Sequence, residues 1–63
     1  MKIDILLNDE IIVNHRLGYY IIKKEGKGYG VYQKYTSEEI TYYITAFKTL
    51  IDALKFVRTF IKD

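Results

Sequence analysis

The sequence predicts a small α+β domain, in which an antiparallel β-sheet of three to five strands, connected as a meander, is packed on one face by a C-terminal α-helix. Three observations lead to this prediction. The 63 residues suffice for a single domain, β-branched and aromatic segments alternate with glycine-containing turns, and the C-terminal segment has helical periodicity. At this length only about 60% of the chain's surface is buried on folding, so a large enzyme cleft is not expected.

The composition is that of a folded chain without covalent cross-links. Hydrophobic residues make up 49% and charged residues 29%, and cysteine is absent, so we expect apolar packing to stabilise the domain. The formal net charge of +2 is too small to predict binding to a polyanion by itself. The chain is rich in Ile, Lys and Tyr and lacks Pro and Trp, a mixture that AT-rich genomes, including many phages and mobile elements, commonly encode.

Residues 1–17 contain two apolar segments, residues 2–7 and 10–13, on either side of an Asn-Asp pair. They form either a β-hairpin, which gives five strands in all, or one extended arm, and the pattern does not separate these alternatives. Residues 11–13 are continuously apolar, which fits a strand covered on both sides better than an edge strand. An aspartate interrupts the first segment, so we expect no targeting or membrane-spanning segment and a cytoplasmic location.

Residues 18–45 are predicted to form a three-stranded meander. The predicted strands are residues 19–24, 29–35 and 40–44. A two-residue turn at Gly26 and Lys27 would place Ile22 opposite Val31. The same turn would place Ile21 opposite Tyr32.

A four-residue loop over residues 36–39 would set the second hairpin in a register that agrees with the first. Its predicted pairs are Val31–Ile44, Tyr32–Tyr43 and Tyr35–Ile40. The face predicted to receive the helix carries Tyr20, Ile22, Tyr29, Val31, Tyr35, Ile40, Tyr42 and Ile44. The opposite, open face carries Tyr19, Ile21, Lys23, Gly30, Tyr32, Lys34, Thr41 and Tyr43. An odd-length first loop would exchange Ile21 with Ile22.

A helix is predicted over residues 49–62. Thr49 and Asp52 resemble a capping box, with Asp in place of the usual Glu or Gln. The side chains on the predicted apolar side are Leu50, Ala53, Leu54, Phe56, Val57, Phe60 and Ile61. Ile51 points to the otherwise polar side, so we expect it to be exposed.

The open face is the leading candidate site. Its rings and ammonium groups can stack on bases, contact phosphates or anchor a protein interface. The proposed partner-binding residues are Tyr19, Lys23, Tyr32, Lys34 and Tyr43. The alternative is a solvated outer face, on which tyrosines only stabilise cross-strand pairs.

A secondary patch is predicted on the wet side of the helix, formed by Ile51, Lys55, Arg58 and Lys62. It could contact a nucleic-acid backbone or an acidic partner. Lysines in this position are more often only the solvated side of a helix and complement the dipole at its C-terminal end.

No catalytic, metal or cofactor site is predicted. The glycines of residues 26–30 join two strands and open no helix, so they are a turn and not a phosphate loop. His15 has no second His or Cys with which to form a zinc site. Glu38 and Glu39 are loop neighbours that do not converge across a cleft, and Ser37 has no triad partner nearby. We therefore expect a protein that is not an enzyme.

Residues 18–62 resemble the AP2-like, arm-binding N-terminal domains of phage and transposon integrases. The resemblance rests on Gly18-Tyr19-Tyr20-Ile21, the glycine hairpin, Gly30-Val31-Tyr32, Ala46-Phe47-Lys48-Thr49 and Asp52-Ala53. It implies a three-stranded sheet backed by a C-terminal helix, with the open face lying in the DNA major groove. The implied contacts are Tyr19, Lys23, Tyr32, Lys34 and Tyr43.

Three functions are compatible with these features. The first is a non-enzymatic binding protein of phage or mobile-element type that modulates, and in particular inhibits, a host protein or protein complex, as an anti-defence protein does. The second is a DNA-binding accessory domain that uses the open face. The third is a self-assembling structural protein, such as a homodimer, that pairs through residues 11–13 or an uncovered edge strand. A DNA-binding face should carry more Lys and Arg beside its tyrosines, so protein binding ranks first.

Overall fold

The computed structural model describes residues 2–5 and 10–61, with side chains for residues 10–61. The elements are β1 (Lys2–Ile5), β2 (Glu10–His15), β3 (Gly18–Glu25), β4 (Gly28–Tyr35), β5 (Thr41–Phe47) and α1 (Leu50–Phe60). The strands form one five-stranded sheet in the order β1-β2-β3-β4-β5, and every pair is antiparallel. The predicted α+β meander with a C-terminal helix is confirmed.

The N-terminal segment forms the hairpin and not the extended arm. β1 pairs with β2 in a register that sets Ile5 opposite Ile11. β2 is therefore an interior strand, as its apolar run predicts. Val13 is fully buried, and Ile11 and Ile12 are half-buried. The Asn-Asp pair between the two strands lies outside the described residues.

The β3–β4 hairpin has the predicted two-residue turn, in which Gly26 adopts the left-handed conformation with φ 58°. Ile22 lies opposite Val31, and Ile21 lies opposite Tyr32. Because the turn has even length, the predicted face of each residue in these two strands is confirmed.

β5 contains a bulge that the sequence does not predict. Tyr43 lies opposite Tyr32, as predicted, but Val31 lies opposite Thr45 and not opposite Ile44. The predicted Val31–Ile44 pair is therefore wrong, because Ile44 is an extra residue in β5. An extra residue in one strand changes the alternation of faces beyond it.

Helix α1 begins as predicted. Thr49 is its N-cap, and the hydroxyl of this residue accepts a hydrogen bond of 3.2 Å from the backbone N–H of Asp52. Ala53 and Val57 are fully buried against the sheet. The prediction that Phe60 packs on the sheet is wrong, since its side chain is 56% exposed. The buried core consists of Val13, Tyr20, Ile22, Val31, Ala53 and Val57.

The helix covers one end of the β4–β5 pair. Tyr29 and Phe47, which lie opposite one another at that end, are partly buried against the core. At the other end, three residues predicted to lie under the helix are exposed: Ile40 (58%), Tyr42 (41%) and Ile44 (37%). A helix of 11 residues is only about 16 Å long, so it does not reach them. Ile40 also lies outside β5, so the predicted Tyr35–Ile40 pair is absent from the sheet.

Candidate functional site: the open face of the sheet

The sheet brings all five predicted partner-binding residues to one face. β3, β4 and β5 contribute the cross-strand rows Tyr19–Lys34–Thr41, Ile21–Tyr32–Tyr43 and Lys23–Gly30–Ala46. Helix α1 packs against the opposite face, where the buried residues of β3 and β4 lie. Within residues 10–61, the open face has no element packed on it.

Two tyrosines form the centre of the open face. The rings of Tyr32 and Tyr43 contact edge to face, with centroids 5.4 Å apart at an angle of 68°. Tyr43 is 60% exposed, so most of its ring is accessible to a partner. This geometry is the favoured one for an aromatic pair and holds both rings in place.

Glu25 fixes the position of Tyr32. The Tyr32 hydroxyl donates a hydrogen bond of 2.6 Å to Glu25 Oε2, and this bond raises the pKa of the Tyr32 phenol above its usual range, with smaller contributions from burial and from the charges of Glu25 and Tyr43. Gly30 leaves room for the Glu25 carboxylate, which a Cβ at this position would meet. The phenol is therefore a neutral donor throughout the physiological pH range.

Both lysines of the open face are held by neighbours. Lys23 Nζ lies 5.7 Å from the centroid of the Tyr32 ring and 3.9 Å from Glu10 Oε2. Lys34 Nζ lies 6.0 Å from the centroid of the Tyr19 ring. These distances are typical of cation–π contacts, which order the ammonium groups over the rings.

Lys34 also anchors the β4–β5 loop. Its Nζ donates to the backbone oxygens of Glu38 at 2.8 Å and of Tyr35 at 3.5 Å. The side chain of Glu38 accepts a hydrogen bond of 2.9 Å from the Tyr42 hydroxyl, which raises the Tyr42 pKa. The sequence argues against an acid/base role for Glu38. In the structure, contacts of Glu38 with Lys34 and Tyr42 order the β4–β5 loop.

The open face is close to electrically balanced. Glu10 and Glu25 lie among Lys23 and Lys34, so two carboxylates offset two ammonium groups. Sequence reasoning did not include either glutamate in the site. For Glu25 a signal was available, because residues of equal parity along a strand share a face and Glu25 follows Lys23 by two positions.

A shallow depression of about 340 Å³ lies on the same face, lined by Glu10, Ile21, Lys23, Tyr32 and Thr41. Ile21 supplies an apolar floor, and the ion pair of Lys23 and Glu10 supplies a polar rim. Such a depression fits one or two side chains of a partner, with the exposed Tyr43 ring beside it.

The secondary patch lies on the other side of the molecule. Ile51 is 64% exposed, and Lys55 and Arg58 are exposed on the outer side of α1. Lys62, the fourth predicted member, lies outside the described residues. The patch and the open face do not form one surface, because α1 packs on the opposite side of the sheet.

His15 lies half-buried on the helix side of the sheet. Its ring centroid is 4.9 Å from that of Tyr20 and 6.4 Å from that of Tyr35. Nδ1 accepts a hydrogen bond of 3.2 Å from the backbone N–H of Leu17, and the buried Nε2 has no hydrogen-bond partner among the described residues. Burial lowers the pKa of His15. The residue is packed between aromatic rings, in agreement with a structural role.

Comparisons with known proteins found no match, so the function is inferred from the geometry described above. No family model matches the chain, and the searches of curated proteins and of solved structures found no match. In the part of the chain that the structure describes, no group of three or more His, Cys, Asp or Glu residues could hold a metal ion. Helix α1, at 11 residues, is too short to cross a membrane.

Proposed function

We propose that this chain is a non-enzymatic binding protein that captures another protein on its open sheet face and thereby modulates that protein's activity. The observation that carries the proposal is the Tyr32–Tyr43 pair, in which one ring is exposed and the other is fixed by Glu25. Tyrosine is among the residue types that are enriched at the hot spots of protein interfaces, and its rigid ring buries a large area at a small entropic cost.

The charge distribution favours a protein over DNA as the partner. A DNA-binding face gains most of its affinity from lysines and arginines that reach phosphates. Here Lys23 is 3.9 Å from Glu10, and Lys34 Nζ is bonded to loop carbonyls. A polyanion would have to displace these contacts and approach two carboxylates.

The proposal includes the class of partner. A small chain of Ile-, Lys- and Tyr-rich composition without Pro or Trp suits a phage or mobile-element protein, and such proteins commonly act by occupying a surface of a host protein. The host protein is inhibited if the occupied surface is the one that it needs for its own activity.

The test compares three immobilised proteins: the wild type, Tyr43→Ala and Ile51→Ala. Both substitutions remove an exposed apolar side chain, but only Tyr43 lies on the open face. Proteins retained from a bacterial extract are quantified by mass spectrometry, and each candidate is then purified and titrated. We expect one protein to be retained by the wild type and by Ile51→Ala, with at least tenfold weaker binding to Tyr43→Ala, as for a loss of about 1.4 kcal/mol or more at a hot spot.

Equal binding of the partner to Tyr43→Ala and to the wild type would reject the open face as the site. A mixed-sequence DNA duplex, added at low and moderate salt, distinguishes the second candidate. A complex with DNA whose affinity falls steeply with salt would replace the proposal with the DNA-binding function.

A further inference from the structure

β5 forms an edge of the sheet that lacks the usual protection. It pairs with β4 on one side only, and its sequence, TYYITAF, contains no charged residue and no proline. Natural edge strands usually carry lysines, prolines or inward-pointing charges, because unpaired backbone N–H and C=O groups attract another strand. Four consecutive residues, at positions 41–44, are exposed here.

We propose that β5 is a dimerisation edge, on which a second copy of this chain pairs its own β5 in the antiparallel direction. The two copies are related by a two-fold axis through the middle of β5 and together form one continuous sheet. This interface uses the backbone edge of the sheet, whereas partner capture uses side chains of the open face, and the two surfaces adjoin at Tyr43 of β5.

The bulge selects the register of this pairing. Residues opposite one another in an antiparallel pair project to the same face. Thr41 and Ala46 both belong to the open face, opposite Lys34 and Gly30 respectively. Setting Thr41 of one copy opposite Ala46 of the other therefore places the open faces of both copies on the same side of the joined sheet.

The same register matches the helix-side residues of β5. It sets Tyr42 opposite Thr45, and both belong to helix-side rows, since they lie opposite Gln33 and Val31. A pairing that set Ile44 opposite itself would place Tyr43 of the open face against Thr45, and the bulge excludes it. The selected register also pairs the two strands over nearly their full length.

Charges at the two ends of β5 complement one another in this register. It brings Glu39, just before β5, beside Lys48 of the second copy, just after β5, and the two-fold axis creates this contact twice. Both residues are exposed, and neither has an ion-pair partner among residues 10–61. Like charges would meet at these points if the strands were parallel.

Cysteine cross-linking tests the register directly, because the chain has no cysteine of its own. We expect the double variant Thr41→Cys/Ala46→Cys to give a disulfide-linked dimer under mild oxidation, with the linked peptides joining position 41 to position 46. Residues five positions apart on one strand are about 16 Å from each other, so a bond within one chain is not formed. The single variants are the controls and should remain monomeric on a denaturing gel.

A charge swap tests the same interface without covalent chemistry. Glu39→Lys and Lys48→Glu should each raise the dimer dissociation constant about fivefold, as the loss of two exposed ion pairs predicts, and the double variant should restore it. Lys55→Glu, on the exposed outer side of α1 and away from β5, is the matched control and should have no effect. Dissociation constants come from sedimentation equilibrium at several protein concentrations.

Two outcomes would overturn the proposal. A chain that sediments as a monomer at about 1 mM has no dimerisation edge of functional strength. A dimer that is insensitive to the charge swap and gives no 41–46 cross-link associates through another surface. Tyr32→Ala, on the open face but in β4 and not in the edge strand, separates the two interfaces, since it should weaken partner capture and leave the dimer unchanged.

Discussion

Ile21 and Ile22 are chain neighbours on β3 that lie on opposite faces of the sheet. Ile22 is fully buried beneath α1 and contacts the apolar core. Ile21 is half-exposed and forms the floor of a depression between a tyrosine and an ion pair. The helix-covered face is held by close apolar packing, whereas the open face is held by hydrogen bonds and contacts between lysines and rings.

The helix-covered face supplies the stability of the domain, whereas we propose that the open face supplies recognition. Apolar burial supplies most of the free energy of folding, and in this chain it is concentrated under α1. Exposed polar and aromatic contacts stabilise little, but they fix side chains in one arrangement before a partner arrives. We therefore expect substitutions on the two faces to have separable effects.

The largest effect is expected for Ile22→Ala, which should lower the free energy of unfolding by about 2–5 kcal/mol through the lost burial and the cavity left behind. Ile21→Ala removes the same atoms from the open face and should cost less than half as much. Urea unfolding followed by circular dichroism measures both. Equal losses would show that the open face is as important for stability as the core.

Gly18→Ala should have the next largest effect and lower the free energy of unfolding by about 2 kcal/mol through overpacking. A Cβ at Gly18 would meet the backbone oxygen of Lys34 and the Cα of Tyr35, neither of which can rotate away. Gly26→Asn, at a position with open space and a positive φ that Asn tolerates, is the control and should change stability little. Similar losses in the two variants would contradict the close approach of β3 and β4.

A smaller, pH-dependent effect is expected at His15, the only histidine. Its folded pKa lies below the ordinary value of 6.5 because burial disfavours the charged form. The unfolded chain therefore binds this proton more readily, so stability is complete above pH 6.5 and decreases as the pH falls toward the lowered value. Protonation of Nδ1 would also break the bond from Leu17.

His15→Phe should remove this decrease in stability between pH 7 and pH 5. Carboxylates contribute little to the pH dependence of stability in this range. Unfolding in urea at each pH measures the profile. A wild-type profile as flat as that of the variant would mean that His15 is accessible to solvent in its charged form.

The smallest effect on stability is expected for Tyr32→Phe, which deletes an exposed hydroxyl. The unfolding midpoint should stay within error of the wild type. In the companion variant Glu25→Gln, the pKa of the Tyr32 phenol should fall toward its usual range, because its largest upward influence is the bond to Glu25. Carbon-13 NMR of the tyrosine rings measures this titration, and an unchanged pKa would mean that Glu25 does not hold Tyr32 in solution.

Much of this architecture was predictable from local chemistry. The two-residue turn at Gly26 sets the register of β3 and β4, and with it the face of every residue from Tyr19 to Lys34. The capping pair at Thr49 and Asp52 sets the start of α1. These features depend on residues that are close together in the chain.

The unpredicted features depend on residues that are distant in the chain. The extra residue at Ile44 shifts the register of β5 against β4, and nothing in its immediate neighbours marks it. The exposure of Phe60 depends on where the short helix ends above the sheet. Glu10 meets Lys23 only because β2 and β3 are adjacent.

The order of strands in the sheet is the same as their order along the chain, and this has a consequence for the kinetics of folding. Each pairing joins sequence neighbours, so each closes a short loop at low entropic cost. Sheets with low contact order fold faster than sandwiches and barrels of similar size, whose pairings span long stretches of chain. We therefore expect the sheet to fold quickly once α1 is available to cover its apolar face, and the complete chain to spend little time with exposed apolar strands.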